Sequence, residues 1–90
     1  MSDLTYTIEL QTKAMRQLKS LEKQTRERIV RAVDKLAKNP RASNCKPLEG
    51  FTGIRRLRIG DYRVIYQIRD SELVILVVEV GHRKEVYRGL

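Results

Sequence analysis

The sequence predicts an α+β domain: a small, antiparallel-rich four-stranded sheet with an N-terminal helical hairpin packed on one face, in the order β-α-α-β-β-β. Three observations predict it. Two apolar stripes at helical spacing follow one another between residues 13 and 38. Gly60-Asp61 joins two short alternating segments, the pattern of a tight β-hairpin. Residues 73–80 are apolar on both faces, as an interior strand is.

The elements follow in order. Leu4 to Leu10 alternates, with Tyr6, Ile8 and Leu10 set against Thr5, Thr7 and Glu9, and reads as a half-buried strand. Thr12 is placed to cap a helix from Lys13 to about Leu21 that buries Ala14, Leu18 and Leu21. A second helix, from about Lys23 to Lys38, carries the stripe Ile29, Val33, Leu36 and Ala37. Asn39-Pro40 ends it, because proline disfavours helix at the residue before it. Two helices with so tight a link form a hairpin that covers one face of a sheet and leaves the other open. Residues 41–53, punctuated by Pro47, Gly50 and Gly53, read as a loop.

The hairpin carries most of the functional information. A two-residue loop with glycine first suits a type II′ turn. It sets Ile59 opposite Tyr62, Arg58 opposite Arg63, Leu57 opposite Val64 and Arg56 opposite Ile65. Leu57, Ile59, Tyr62, Val64 and Tyr66 then share a core face, and Arg56, Arg58, Arg63 and Ile65 share the other. Like charges directly opposite destabilise a sheet. Either the two long arginines splay into solvent, or that face receives an anion such as phosphate.

Ninety residues make a single domain spanning 1–90 with a modest core. A net charge of +8 in so short a chain suggests a polyanionic partner: RNA, DNA or an acidic protein. No signal peptide or membrane-spanning run stands out. The single cysteine, Cys45, has no internal disulfide partner, which fits a reducing cytoplasm, and it reads as a packing thiol. One histidine and one cysteine make a poor metal-ligand set. No P-loop or glycine-rich dinucleotide turn occurs.

What remains is cationic: Arg56, Arg58, Arg63, Arg83, Lys84 and Arg88, with His82 and Tyr87. This set suits phosphate chemistry without a metal. In RNA transesterification the 2′-hydroxyl attacks the adjacent phosphorus, and fixed guanidiniums stabilise the charge that builds on the non-bridging oxygens, at roughly 3 kcal/mol per well-aimed donor. Arginine is a poor proton carrier. Histidine titrates near neutrality, and His82 is the chain's one example. Tyr87 can donate a proton if surrounding cations lower its pKa. The ordinary alternatives are a solvent-exposed or capping histidine and a tyrosine packed on the core.

Three segments resemble the RelE/ParE superfamily of toxins, most closely its RelE type. Lys46-Pro-Leu-Glu-Gly50 is similar to the family's K-L-x-G loop. Arg56-Leu-Arg-Ile-Gly-Asp-Tyr-Arg-Val-Ile-Tyr66 is similar to its R-L-R-V-G-D-Y-R-V-I-Y hairpin, and Val80-Gly-His-Arg-Lys-Glu-Val-Tyr87 to its V-G-x-R-x-x-V-Y tail. The resemblance runs from the first strand to the last residue. It implies a microbial-RNase-like α+β fold and a cytoplasmic endoribonuclease that cuts mRNA in the ribosomal A site, with no cofactor and no metal, leaving a 2′,3′-cyclic phosphate and a 5′-hydroxyl. It also implies a RelB-like antitoxin as partner in a hetero-oligomer, besides the ribosome and mRNA, and no membrane. Matched position by position, the catalytic residues are Arg56, Arg58, Arg63, Arg83 and Tyr87; Lys46, Arg55, Lys84 and Arg88 are the further cations expected along the RNA. Some members carry lysines before the turn where this chain has Arg56 and Arg58. An arginine hardly serves as general base, so His82 is the substitute candidate. Strand alternation points His82 away from Arg83, unless a bulge at Gly81 re-aims it. Two other functions fit the same fold: a ParE-like inhibitor of DNA gyrase, and a non-catalytic nucleic-acid-binding remnant.

Overall fold

The computed structural model describes residues 5–42 and 44–82. Arg83, Lys84, Tyr87 and Arg88, and the expected start of the first strand at Leu4, lie outside the described residues. The elements are β1 (Thr7–Leu10), α1 (Thr12–Lys19), α2 (Lys23–Leu36), β2 (Cys45–Pro47), β3 (Ile54–Ile59), β4 (Tyr62–Arg69), a 3₁₀ turn (Asp70–Glu72) and β5 (Val74–His82). They form one sheet in the order β1-β5-β4-β3-β2, in which β1 and β5 run parallel and the other pairs antiparallel.

The sheet has five strands, not the expected four. The addition is β2, inside the segment read as loop, where Cys45, Lys46 and Pro47 pair with Leu57, Arg56 and Arg55. Three residues ending in proline carry no strand signal, and proline is tolerated there because β2 is an edge. The first strand is shorter than alternation suggested. The Tyr6 amide donates to the Ala37 carbonyl at 2.7 Å, tying it to the end of α2 rather than to a strand. α1 begins one residue early: Gln11 holds the N-cap position without a side-chain bond, and Thr12 is already helical. α2 ends at Leu36, and Asn39 bonds back to the Lys35 carbonyl before Pro40 turns the chain.

The hairpin keeps the register that Gly60-Asp61 dictates: Ile59↔Tyr62, Arg58↔Arg63, Leu57↔Val64 and Arg56↔Ile65. Gly60 alone of the two turn residues has positive φ, +59°, as a type II′ turn requires. Ile29, Val33 and Leu36 from α2 and Ala14 from α1 pack with Leu57, Ile59, Val64, Tyr66, Ile75, Val77 and Val80. Both helices thus cover one face of the sheet. Buried Tyr66 donates its hydroxyl to the Pro40 carbonyl at 2.6 Å, and its pKa is raised, chiefly by burial.

α1 also closes an edge. β1 ends at Leu10, opposite Val77, while β5 continues to His82. Beyond that point α1 supplies the missing partners: the Gln11 amide donates to the Val77 carbonyl at 2.9 Å, and Gln17 Oε1 accepts from the Val80 amide at 2.8 Å. An otherwise bare edge is satisfied by a helix rather than a strand.

At the far end, Asp70 accepts from the Tyr6 hydroxyl at 2.6 Å and from Arg41 through both carboxylate oxygens, at 3.3 and 2.8 Å. The Arg41 guanidinium, and then the Tyr6 hydroxyl, hold the Asp70 carboxyl below its ordinary pKa. A depressed carboxylate adds stability above its unfolded pKa, near 3.9, and loses it as the pH falls through the folded value. Asp70→Asn is therefore expected to melt below wild type at pH 6, with the gap narrowing as the pH is lowered toward 3. Parallel melting curves at both pH values would show that the pair adds nothing.

Candidate phosphate-binding face

The face away from the helices collects the cations. Alternation along β3 puts Arg56 and Arg58 there, and β4 adds Arg63 directly opposite Arg58. β2 contributes Lys46 beside Arg56. Together Lys46, Arg56, Arg58 and Arg63 line a depression of about 400 Å³ with Asn44 and Gly60, and no acidic side chain lines it among the described residues. Arg58 Nε donates to the Gly60 carbonyl at 3.3 Å, which folds its side chain back over the turn. An added Cβ at Gly60 would meet the Arg28 guanidinium of α2 at 3.3 Å, so a further cation stands behind the turn.

Arg63 is the most informative member. Its Nε and Nη1 are buried and have no hydrogen-bond partner among the described residues. Buried polar groups are nearly always bonded, and an unpartnered one costs about 1–3 kcal/mol. Two such nitrogens on one guanidinium, beside three more cations, fit donors left for an anionic ligand.

The face is not bare of apolar residues. Ile65 is fully buried there, between Arg56 and Glu79 in the register. Glu79 is the buried charged side chain of the described residues, and its Oε1 lies 2.9 Å from Lys13 Nζ of α1. Its placement depends on a bulge. Ile65 pairs with Glu79 but Tyr66 pairs with Val77, leaving Val78 as the extra residue. Without that insertion Glu79 would point into the core and Val80 out of it.

The same bulge decides His82. It pairs with Tyr62 on the helix-covered face, with the two rings edge-to-face and their centroids 5.8 Å apart. His82 thus lies across the sheet from Arg56, Arg58 and Arg63, beside Gln17, Ser20 and Leu21. The bulge lies at Val78, not at Gly81. Arg55 is likewise separated from the other cations: it shares the parity of Leu57, and its Nη2 donates to the Cys45 carbonyl at 3.0 Å. It braces β2 instead of extending the RNA track. Arg83, Tyr87, Lys84 and Arg88 follow in the chain after His82, outside the described residues. Asn44 was not singled out from sequence, because only the β2–β3 pairing brings it to the rim.

Residues 8–87 match the family described as the ParE toxin of the type II toxin–antitoxin system parDE. Toxin RelG of Mycobacterium tuberculosis is 31% identical over 87 residues, covering 94% of this chain and 99% of that one. The mRNA interferase toxin RelE of Escherichia coli K12 is 28% identical over 88 residues, covering 93% and 92%. Among solved structures, the toxin–antitoxin complex RelBE2 of M. tuberculosis superimposes with a TM-score of 0.79 at 29% identity, covering 93% of this chain and 98% of that one. With helices on one face, guanidiniums on the other and the family pattern along nearly the whole sequence, the chain belongs to the RelE/ParE superfamily of type II toxins.

Proposed function

We propose that this toxin is a ribosome-dependent endoribonuclease that cuts mRNA in the A site by metal-free transesterification, acting in the cytoplasm where messages are translated. The observation that carries this reading is the Arg63 guanidinium, whose Nε and Nη1 are buried and have no partner among the described residues, within the cluster of Lys46, Arg56 and Arg58. The relative named an mRNA interferase supports it.

The 2′-oxygen attacks phosphorus, the bond from phosphorus to the 5′-oxygen breaks, and the products are a 2′,3′-cyclic phosphate and a 5′-hydroxyl. One proton leaves the 2′-hydroxyl and one reaches the 5′-oxygen. Arg58 and Arg63 face the non-bridging oxygens and stabilise the charge that develops there. Arg56 and Lys46 hold the flanking backbone, with Lys84 and Arg88 extending that track and Arg83 joining the charge stabilisation. These cations do not carry protons. Tyr87 is the donor to the leaving oxygen. His82, across the sheet from the guanidiniums, reaches the 2′-oxygen only if the bound message passes the end of β5. A RelB-like antitoxin is the partner, as in the RelBE2 complex, and its acidic or amphipathic segment covers the same basic face, so binding weakens with salt.

Primer extension on a translated message, alongside a gyrase supercoiling assay, tests the reading. Cuts at A-site codons, absent when the same message is not translated, are expected. Intact messages together with blocked supercoiling would assign the gyrase activity instead.

A further inference from the structure

The geometry points to Lys13 as a positioning residue that keeps the phosphate-binding arginine open by holding an acid away from it. The inference rests on the reading of Arg63 as a phosphate ligand. Arg63 lies opposite Gly81, and Glu79, two residues back along β5 on the same face, is its diagonal neighbour. Diagonal positions in an antiparallel pair stand about 7–8 Å apart, within reach of long side chains. A buried carboxylate that close to a guanidinium with two buried nitrogens that have no partner among the described residues is its natural partner.

The two are not paired. Glu79 directs Oε1 to Lys13 Nζ at 2.9 Å, while Nε and Nη1 of Arg63 have no partner among the described residues. The Glu79 side chain is 6% exposed and that of Lys13 53% exposed, so Lys13 reaches in from the first turn of α1 to a carboxylate largely shielded from solvent. Glu79 lines the depression against α1, with Gln17, Ser20 and His82, and does not line the arginine depression. The bulge at Val78 brings Glu79 to this face, and Lys13 then neutralises it there. Without Lys13, the carboxylate would turn to Arg63 and take donors left for phosphate.

The test is a mutant cycle on the full chain with two readouts. The first is the Arg63 Nε–H resonance by NMR, assigned by its loss in Arg63→Lys. The second is binding of a short 2′-O-methyl RNA, which has no nucleophilic hydroxyl, at fixed ionic strength. Lys13→Met is expected to shift the Arg63 resonance and weaken RNA binding about tenfold, the loss of one charge-assisted contact. Lys13→Met with Glu79→Gln should return both to the wild-type values, and Lys13→Arg should keep them. Lys35→Met removes the same charge from the exposed side of α2 and should change binding less than about twofold. An Arg63 resonance unmoved in Lys13→Met, no rescue by Glu79→Gln, or equal damage from Lys35→Met would each overturn the inference. Because the resonance does not depend on RNA, a shift without measurable wild-type RNA binding would remove Arg63 as a ligand of free RNA and leave the Lys13–Glu79 device standing, while primer extension on a translated message decides the nuclease reading.

Discussion

Arg63→Ala is expected to lower cleavage of a translated message by about 10²–10³-fold, the effect of removing one preorganised donor from a developing oxyanion. The same substitution should leave the thermal midpoint at or above the wild-type value. The two halves have one cause. Nε and Nη1 of Arg63 are buried without partners among the described residues, so the folded toxin carries a cost that only a bound anion removes. A residue that costs stability and supplies rate is what a site tuned for function contains. Arg63→Lys should recover only part of the rate, because an ammonium is a point charge and lacks the planar fork. Primer extension with each variant, together with its melting curve, checks the prediction. Cleavage by Arg63→Ala within a few-fold of wild type would remove Arg63 from the chemistry.

The arginine face was legible because one dipeptide determines it. Gly60-Asp61 closes a two-residue turn, and a turn of that length leaves a single register for β3 and β4. The helices were legible from periodicity, since Ile29, Val33 and Leu36 recur on one side of an otherwise charged segment. The limits of legibility have equally local causes. Val74 to Val80 is apolar on both faces apart from Glu79, so no alternation reveals that Val78 is an inserted residue. That single bulge inverts the faces of Glu79, Val80, Gly81 and His82, and with them the reading of His82. Residue type groups Arg55 with its neighbours, although its parity with Leu57 turns it toward the core. β2 went unseen because its strand character comes from pairing with β3, not from its three residues.

Leu57→Ala tests the opposite face of the same strand. Leu57 is 2% exposed and pairs with Cys45 on one side and Val64 on the other, within the cluster that holds Ile29, Val33 and Leu36. Truncation removes the buried leucine's apolar contacts and leaves a cavity beneath α2, at a cost of about 3 kcal/mol. For a domain of this size that lowers the midpoint by roughly 15 °C. The backbone ladder on both sides of Leu57 is untouched, so Arg56 and Arg58 keep their places on the other face. Cleavage per folded molecule, measured well below the lowered midpoint, should therefore stay within a few-fold of wild type. Leu57→Ala and Arg63→Ala should thus show reversed signatures: stability lost and rate kept in one, rate lost and stability kept in the other. A hundredfold loss of rate in folded Leu57→Ala would mean that the guanidinium positions depend on core packing beneath the sheet, and that strand register alone does not hold them.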